Sequence, residues 1–382
     1  MASSLDRFFT EGEYSRRIAA IRAAMCREAV DLLITAEPAN VCYSTGHHSV
    51  NQWDPVFLIL PLDRTPVLLV PEAELGRFEA SCTGAEAAPW ARGADPAAAL
   101  LAAGSRCGAG AGRVAVDIGG ARLPAGALLR AIEHFGAERK EGIIESVRLV
   151  KSDAELECIR QAARLTDLAM AAALAAVREG ARDHEVAASA ASACWRAGGE
   201  RFCMDPIVAV GERAAVAHSS HAGALIEAGQ PVFIELSGVR ASYTAPLMRT
   251  AIVGDPPADV EELASRSIAA IDAVVGAAGH GVPACDVAQA GLRALGPVLS
   301  RVRFHHLFGC PVGLGVPPSW LEESGFWLTA TNPRPLQAGM VFHLPMTLRI
   351  PGRLGVGFSE TLIITATGAE IGGSTARALH RG

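Results

Sequence analysis

The stretch from Pro231 to Val253, PVFIELSGVRASYTAPLMRTAIV, constrains this chain more than any other. Two apolar, β-branched runs flank a short Gly/Arg/Ala/Ser connection, which is the pattern of a β-hairpin. A single carboxylate, Glu235, sits in the first run among Phe233, Ile234 and Leu236. Burying a carboxylate is costly unless it is paired, metal-bound or neutralised, so such an acid is either held by a hydrogen-bond network or does chemistry. The plainer alternative is an edge-strand Glu facing water, which strand alternation also allows.

The chain has 382 residues, half of them hydrophobic, enough for two domains with a substantial core. Its net charge of -6 is spread without blocks, which argues against nucleic-acid and membrane partners. The start, MASSLDRFFTEGEY, is polar and acidic, and no run of about 18 apolar residues follows, so a soluble cytoplasmic protein is expected. Nine cysteines are scattered without a CxxC pair, several in apolar or helical contexts such as Cys26, Cys158 and Cys194. Reduced, mostly buried thiols are the expectation. Cys203 and Cys310 lie beside candidate site segments and are minor candidates for a nucleophile.

Periodicity predicts an N-terminal α/β layer. It contains a helix over 13–29, strands at 32–35, 56–60, 66–70 and 113–117, and a helix over 124–135. The Ala/Gly-rich region 84–112 reads as short helices and surface loops. A strand ending near Val150 then gives way to a long helix, with Ser152 as N-cap and Glu155 completing a capping box. The expected domains are 1–148 and 149–382. The second holds helices over 153–179, 184–197, 260–278 and 282–295, the hairpin, and strands over 340–349 and 357–365. No Gly-rich strand-to-helix phosphate loop is present, which disfavours a doubly wound nucleotide fold.

The hairpin resembles that of the pita-bread superfamily of creatinase, prolidase, aminopeptidase P and methionine aminopeptidase, which reads approximately D-x-G-x(5)-Y-x-x-D-x-x-R-T. Tyr243, Arg249 and Thr250 fix the register, placing Glu235 at the first metal-binding aspartate and Pro246 at the second. GCPVGLGV (309–316) resembles the family's histidine motif with Val312 at the ligand. In GMVFHLP (339–345) Pro345 takes a glutamate position, and in GVGFSETLIIT (355–365) the last glutamate falls on Ser359 or Glu360. At most two carboxylate ligands survive, too few for a closed divalent-metal site. The resemblance therefore implies an α+β protein: a pita-bread catalytic domain behind a smaller creatinase-type α/β domain, working without a metal or other cofactor.

Within that superfamily the chain is most similar to the ectoine hydrolases. IELSGVRASYTAPLMRT (234–250) matches their IEL-A-GVR-x-x-Y-x-APL-x-RT, and Gly313, Leu314, Pro317, Pro318 and Trp320 match G-L-x-x-PP-x-W. It departs from them at Thr244, where a histidine is common, and at Gly357, where an acid is common. The resemblance implies Glu235 as nucleophile toward an amidine carbon, with His218 trading protons by analogy with creatinase and His221 as its control. A carboxylate meeting a cationic amidinium is electrostatically sound, and histidine suits proton exchange near neutrality. Glu360 is the second candidate acid, its alternative being a salt bridge to Arg249. Tyr243, Arg249, Trp320, His343 and Trp53 are the candidate substrate-binding residues, with an arginine fork suited to a substrate carboxylate and the tryptophans to a flat cation. Phe202 is a minor candidate. Resemblance to creatinase further implies a homodimer in which Trp53, His47 and His48 serve the partner's site. The expectation is a hydrolase of a small cyclic amidine or related C–N compound, ectoine or hydroxyectoine first. A creatinase-type amidinohydrolase and a catalytically silent binding protein are the alternatives, and a metal-dependent Xaa-Pro peptidase is the least favoured.

Overall fold

The computed structural model describes residues 6–120, 123–322 and 324–382. Its chain divides into two compact units, Met1–Arg148 with Glu323–Gly325, and Leu149–Glu322 with Phe326–Gly382.

The first unit runs α1 (Glu11–Arg27), β1 (Leu32–Thr35), α2 (Pro38–Thr45), β2 (Phe57–Pro61), β3 (Val67–Pro71), α3 (Leu75–Ser81), β4 (Glu86–Trp90), α4 (Pro96–Arg106), β5 (Val114–Asp117), α5 (Ala125–Phe135), β6 (Glu138–Lys140) and α6 (Ile143–Arg148). Its strands form one mixed sheet in the order β4-β3-β2-β1-β5-β6. The central strands are buried on both faces, as their unbroken apolar runs require. Two expectations fail here. Strand β4 lies inside the Ala/Gly region, where EAAPW carries no strand signature; an edge position tolerates its Pro89. The apolar run before Val150 is helix α6, not a strand. Its Glu145 and Arg148, one turn apart, both reach Asn40 of α2: Asn40 Nδ2 donates to Glu145 Oε1 at 2.6 Å, and Arg148 Nη1 donates to Asn40 Oδ1 at 2.8 Å.

The second unit runs α7 (Asp153–Ala176), α8 (Asp183–Arg196), β7 (Ile207–Val210), β8 (Pro231–Arg240), β9 (Tyr243–Ile252), α9 (Ala258–Ala277), α10 (Ala284–Leu295), β10 (Cys310–Val316), β11 (Ser319–Leu321), β12 (Val341–His343), β13 (Met346–Ile350), β14 (Leu354–Phe358), β15 (Thr361–Thr365), β16 (Gly368–Ile371) and β17 (His380–Arg381). Helix α7 opens with the Ser152–Glu155 capping box. The main sheet has the order β16-β15-β12-β10-β9-β8-β7, with β11 on β10 and β17 on β9. Helix α7 lies on the β8–β9 hairpin. Gly238 N donates to Thr166 Oγ1 at 2.7 Å, Thr166 Oγ1 donates to Ala245 O at 2.8 Å, and a Cβ on Gly238 would stand 2.7 Å from the Ala162 carbonyl. The glycine of the GVR motif is there so that helix and strand can meet.

Each of the two C-terminal strands expected is split in two. The first breaks at Leu344 and Pro345, the second at Ser359 and Glu360. Pro345 has no N–H to continue a ladder. Segments β13 and β14 therefore leave the main sheet and pair with each other, Met346 opposite Phe358 through Ile350 opposite Leu354. This small ribbon packs on the β8–β9 hairpin through Thr250, whose Oγ1 receives Gly357 N and bonds Gly357 O, both at 2.9 Å.

Candidate functional site

The hairpin register separates the candidate residues by face. Glu235 stands opposite Met248 and Ile207, whereas Arg249 stands opposite Ile234 and Tyr243 opposite Arg240. Period-two alternation puts Ile234, Leu236, Leu247, Arg249 and Tyr243 on one face, and Phe233, Glu235 and Met248 on the other. The first face is the one under the helices: Tyr243 Oη donates to Glu155 Oε1 of α7 at 2.8 Å. There Arg249 donates to Glu360 Oε1 at 2.9 Å and to the carbonyls of Ser359, Thr375 and Ala376, while Arg377 Nε donates to the same Glu360 oxygen at 2.9 Å. Glu360 and Arg249 are fully buried and mutually satisfied. The structure thus sets Glu360, Arg249 and Tyr243 apart from Glu235, across the thickness of the sheet. A salt bridge accounts for Glu360.

The other face is different in kind. Glu235 is 8% exposed, and no described side chain or backbone group hydrogen-bonds its carboxylate. Burial raises its pKa to about 7, partly opposed by the nearby Arg349 guanidinium. Thr347, on β13 across from Gly357, places its Oγ1 3.5 Å from Met248 Sδ, beside Glu235. Arg349 lies two residues further along the same face. Its Nε is buried without a partner, and desolvation lowers its pKa while Glu235 pulls it back.

His305, in the segment whose Arg303 bridges Arg349 backbone to backbone, is exposed. Desolvation pushes its pKa down, as do Arg349, His306 and His218. His218 itself is exposed, in a left-handed backbone conformation at φ 59°. Its loop is pinned by Asp183, whose carboxylate accepts from Ala222 N and Gly223 N at 2.8 Å each. Burial would raise the Asp183 pKa, but these backbone donors outweigh it and hold it low. His221 is exposed in the same loop, with Ser220 Oγ 3.2 Å from its Nδ1.

His343 is buried opposite Cys310 in the β10–β12 pair, Nδ1 4.0 Å from Cys310 Sγ, with Nε2 unpartnered. Burial drives its pKa down to about 3, so it is a neutral imidazole. Trp320 packs edge-on against it, ring centroids 6.2 Å apart. Burial and the neighbouring Glu235 push the Cys310 thiol up to about 12, and burial does the same for Cys203. Neither is a ready thiolate. The structure thus gathers Glu235, His343 and Trp320 of the candidate residues with Arg349 and His305, and links His218 through His305. Sequence reasoning missed Arg349 and His305. Their signal was a cation in the apolar run MTLRI and a histidine pair beside the glycine motif.

In the first unit Trp53 is 69% exposed, in a turn where Asn51 Oδ1 accepts from Trp53 N and Asp54 N. His47 is buried with both ring nitrogens unpartnered and its pKa lowered to about 4, and His48 stacks on Phe8. Phe202 is buried against Trp195. Five of the nine cysteines are buried and Cys26 is exposed. An open pocket of about 530 Å³ lies between α9 and the tail, but no residue around Glu235 lines it, and its Arg377 and Arg381 are already paired with Asp272 and Glu261.

The donor set does not fit a divalent metal. Pro246 and Val312 offer no donor side chain, Glu360 is spent on two arginines, and Arg349 puts a positive charge beside Glu235. Among the described residues no group of three or more His, Cys, Asp or Glu could hold an ion.

Residues 157–366 match metallopeptidase family M24, and residues 17–157 match the creatinase/prolidase N-terminal domain. The chain belongs to family M24. Its architecture is accordingly the two-domain one, a creatinase-type N-terminal domain followed by the M24 pita-bread domain. The dipeptidase PepE of Mycobacterium ulcerans superposes with a TM-score of 0.84 at 26% identity, covering 98% of this chain and 99% of that one. The ectoine hydrolase of Halomonas elongata is 23% identical, covering 95% of each chain. The Xaa-Pro dipeptidase of Pyrococcus furiosus is 30% identical over 60% of this chain and 64% of its own. This M24 member is thus a hydrolase by family, with an ectoine hydrolase and dipeptidases among its relatives. No helix of the described residues is long and apolar enough to cross a membrane.

Proposed function

We propose that this M24 protein hydrolyses a C–N bond of a small cyclic amidine, ectoine or hydroxyectoine first, without a metal. The observation that carries the reading is Glu235: a buried carboxylate that nothing holds, on a face where the family's metal donors are replaced by Pro246 and Val312. Its carboxylate adds to the amidinium carbon, water displaces it, and one C–N bond breaks as its nitrogen leaves protonated. The sum is amidinium plus water to amide plus ammonium. A pKa near 7 makes Glu235 ionised yet poorly hydrated just above neutrality, the state that favours attack on a cation. His218 trades the protons. Neutral His343 and the Trp320 edge wall the ring, and neutral His305 offers a hydrogen-bonding nitrogen. The exposed Trp53 is the kind of side chain that a second subunit would cover, consistent with a homodimer.

The test is turnover of ectoine by chelator-treated protein, with mass spectrometry of the intact chain. Ring opening that survives chelation and disappears in Glu235→Ala supports the reading. Activity that needs added metal, or that survives Glu235→Ala, sinks it.

A further inference from the structure

Two arginines stand near the hairpin, and the structure gives them opposite fates. Arg249 has its guanidinium consumed by Glu360 and four carbonyls. Arg349 has no ion pair within 4 Å among the described residues, and its buried Nε bonds to nothing. Three observations place it toward Glu235. Thr347, on its own strand face, touches Met248, the cross-strand neighbour of Glu235. The β14 residues opposite Thr347 and Arg349 are Gly357 and Gly355. A Cβ on the first would collide with the Phe233 ring, and one on the second with the Ala214 backbone, so this face of the ribbon packs onto the Phe233–Glu235 side of β8 and the turn that precedes the His218 loop. Finally, the backbone of Arg349 is bridged to Arg303, two residues before His305.

Arg349 is partly exposed, but its Nε is buried and bonds to nothing, beside an acid that it does not touch, so an anion bound at this face would satisfy a donor that the protein leaves open. We propose that Arg349 is the anion anchor of this site and that the substrate carries a carboxylate, held by Arg349 while the reacting carbon lies against Glu235. The inference rests on the hydrolase reading for what Glu235 does, not for what Arg349 binds. A planar fork suits a carboxylate in two hydrogen bonds, which lysine cannot copy. Arg349 and Glu235 on facing strands suit a ligand that carries both a carboxylate and an electrophilic carbon, as a ring carrying both would.

The experiment uses two ligands that differ only in that group, ectoine and 2-methyl-1,4,5,6-tetrahydropyrimidine, the same ring without its carboxylate. Each is titrated calorimetrically into E235Q, E235Q/R349K and E235Q/R349M, with thermal melts to show that each variant is folded. The expected result is a loss of ectoine affinity of roughly 30-fold or more in R349M, a smaller loss in R349K, and no change for the carboxylate-free ring. Equal ectoine affinity in all three overturns the anchor and leaves the hydrolase reading standing. If ectoine binds none of them, that substrate reading falls, and benzoate titrated into the unmutated protein and R349M decides the anchor. Benzoate binding that depends on Arg349 upholds it, and binding that is absent or unchanged overturns it. Should R349M fail to fold, R349K and R349Q carry the same comparison.

Discussion

The two faces of the β8–β9 hairpin contain similar residue types and treat them in opposite ways. Under the helices Tyr243 is bonded to Glu155, and Arg249 to Glu360. On the other face Glu235 accepts no hydrogen bond from the described residues, Arg349 Nε and His343 Nε2 are unpartnered, and burial has shifted the pKa of each toward its neutral form. Completed polar networks hold a fold together; incomplete ones cost stability and persist where a ligand finishes them. That difference, not residue type, separates structural from functional groups here.

Five substitutions test the contrast. Glu235→Ala should lower turnover by roughly 10⁴-fold or more while leaving the fold intact, read as kcat alongside a denaturation curve; His218→Ala should cost less, on the order of 10²-fold. Arg249→Leu should do the reverse. It leaves Glu360 with one fewer partner in the interior and should remove about 3–5 kcal/mol from the urea-unfolding free energy.

The third test uses pH. The ordinary glutamate value is 4.5, and Glu235 stands at about 7. Below pH 4.5 the group is protonated in both folded and unfolded chains and costs nothing. Between 4.5 and 7 the unfolded chain releases a proton that the folded chain retains, so folded stability falls as pH rises, by ~3 kcal/mol in all. Glu235→Gln removes this dependence. Its stability relative to the unmutated protein should therefore improve by ~3 kcal/mol from pH 4 to pH 8, and an unchanged difference would mean that Glu235 is held as an ordinary surface acid. The smallest effect belongs to Tyr243→Phe, which leaves Glu155 Oε1 without this donor. It should cost about 1–2 kcal/mol of stability and leave kcat/KM within roughly two-fold.

Much of the scaffold was legible because it is written in local pattern. The β1 strand, the Ser152–Glu155 box and the hairpin follow from alternation and capping chemistry, and the register of the hairpin told which residues neighbour Glu235. The same alternation placed Arg249 on the opposite face, a consequence available from the sequence but masked by the attraction of an arginine near a candidate acid. The salt bridge of Glu360 to Arg249 was one of the two readings the sequence offered, whereas its second partner, Arg377, was not legible, since it comes from the C-terminal tail. Nor was Arg349: its role depends on Pro345 breaking the strand and swinging β13 onto the hairpin, a tertiary event with no local signature. Helix α6 was misread because IIESVRL is short, apolar and β-branched, whereas the partner of its Glu145 and Arg148 is Asn40, about a hundred residues away.

The most direct test of the central contrast is one paired measurement: ectoine kcat/KM and unfolding free energy for Glu235→Gln and Glu360→Gln, chosen because both keep the side chain's size. Glu235→Gln should lose turnover and, at pH 8, gain stability. Glu360→Gln should lose stability while its folded fraction turns over at close to the normal rate. Loss of turnover in folded Glu360→Gln, with Glu235→Gln still active, would put the chemistry on the helix-covered face and contradict this account.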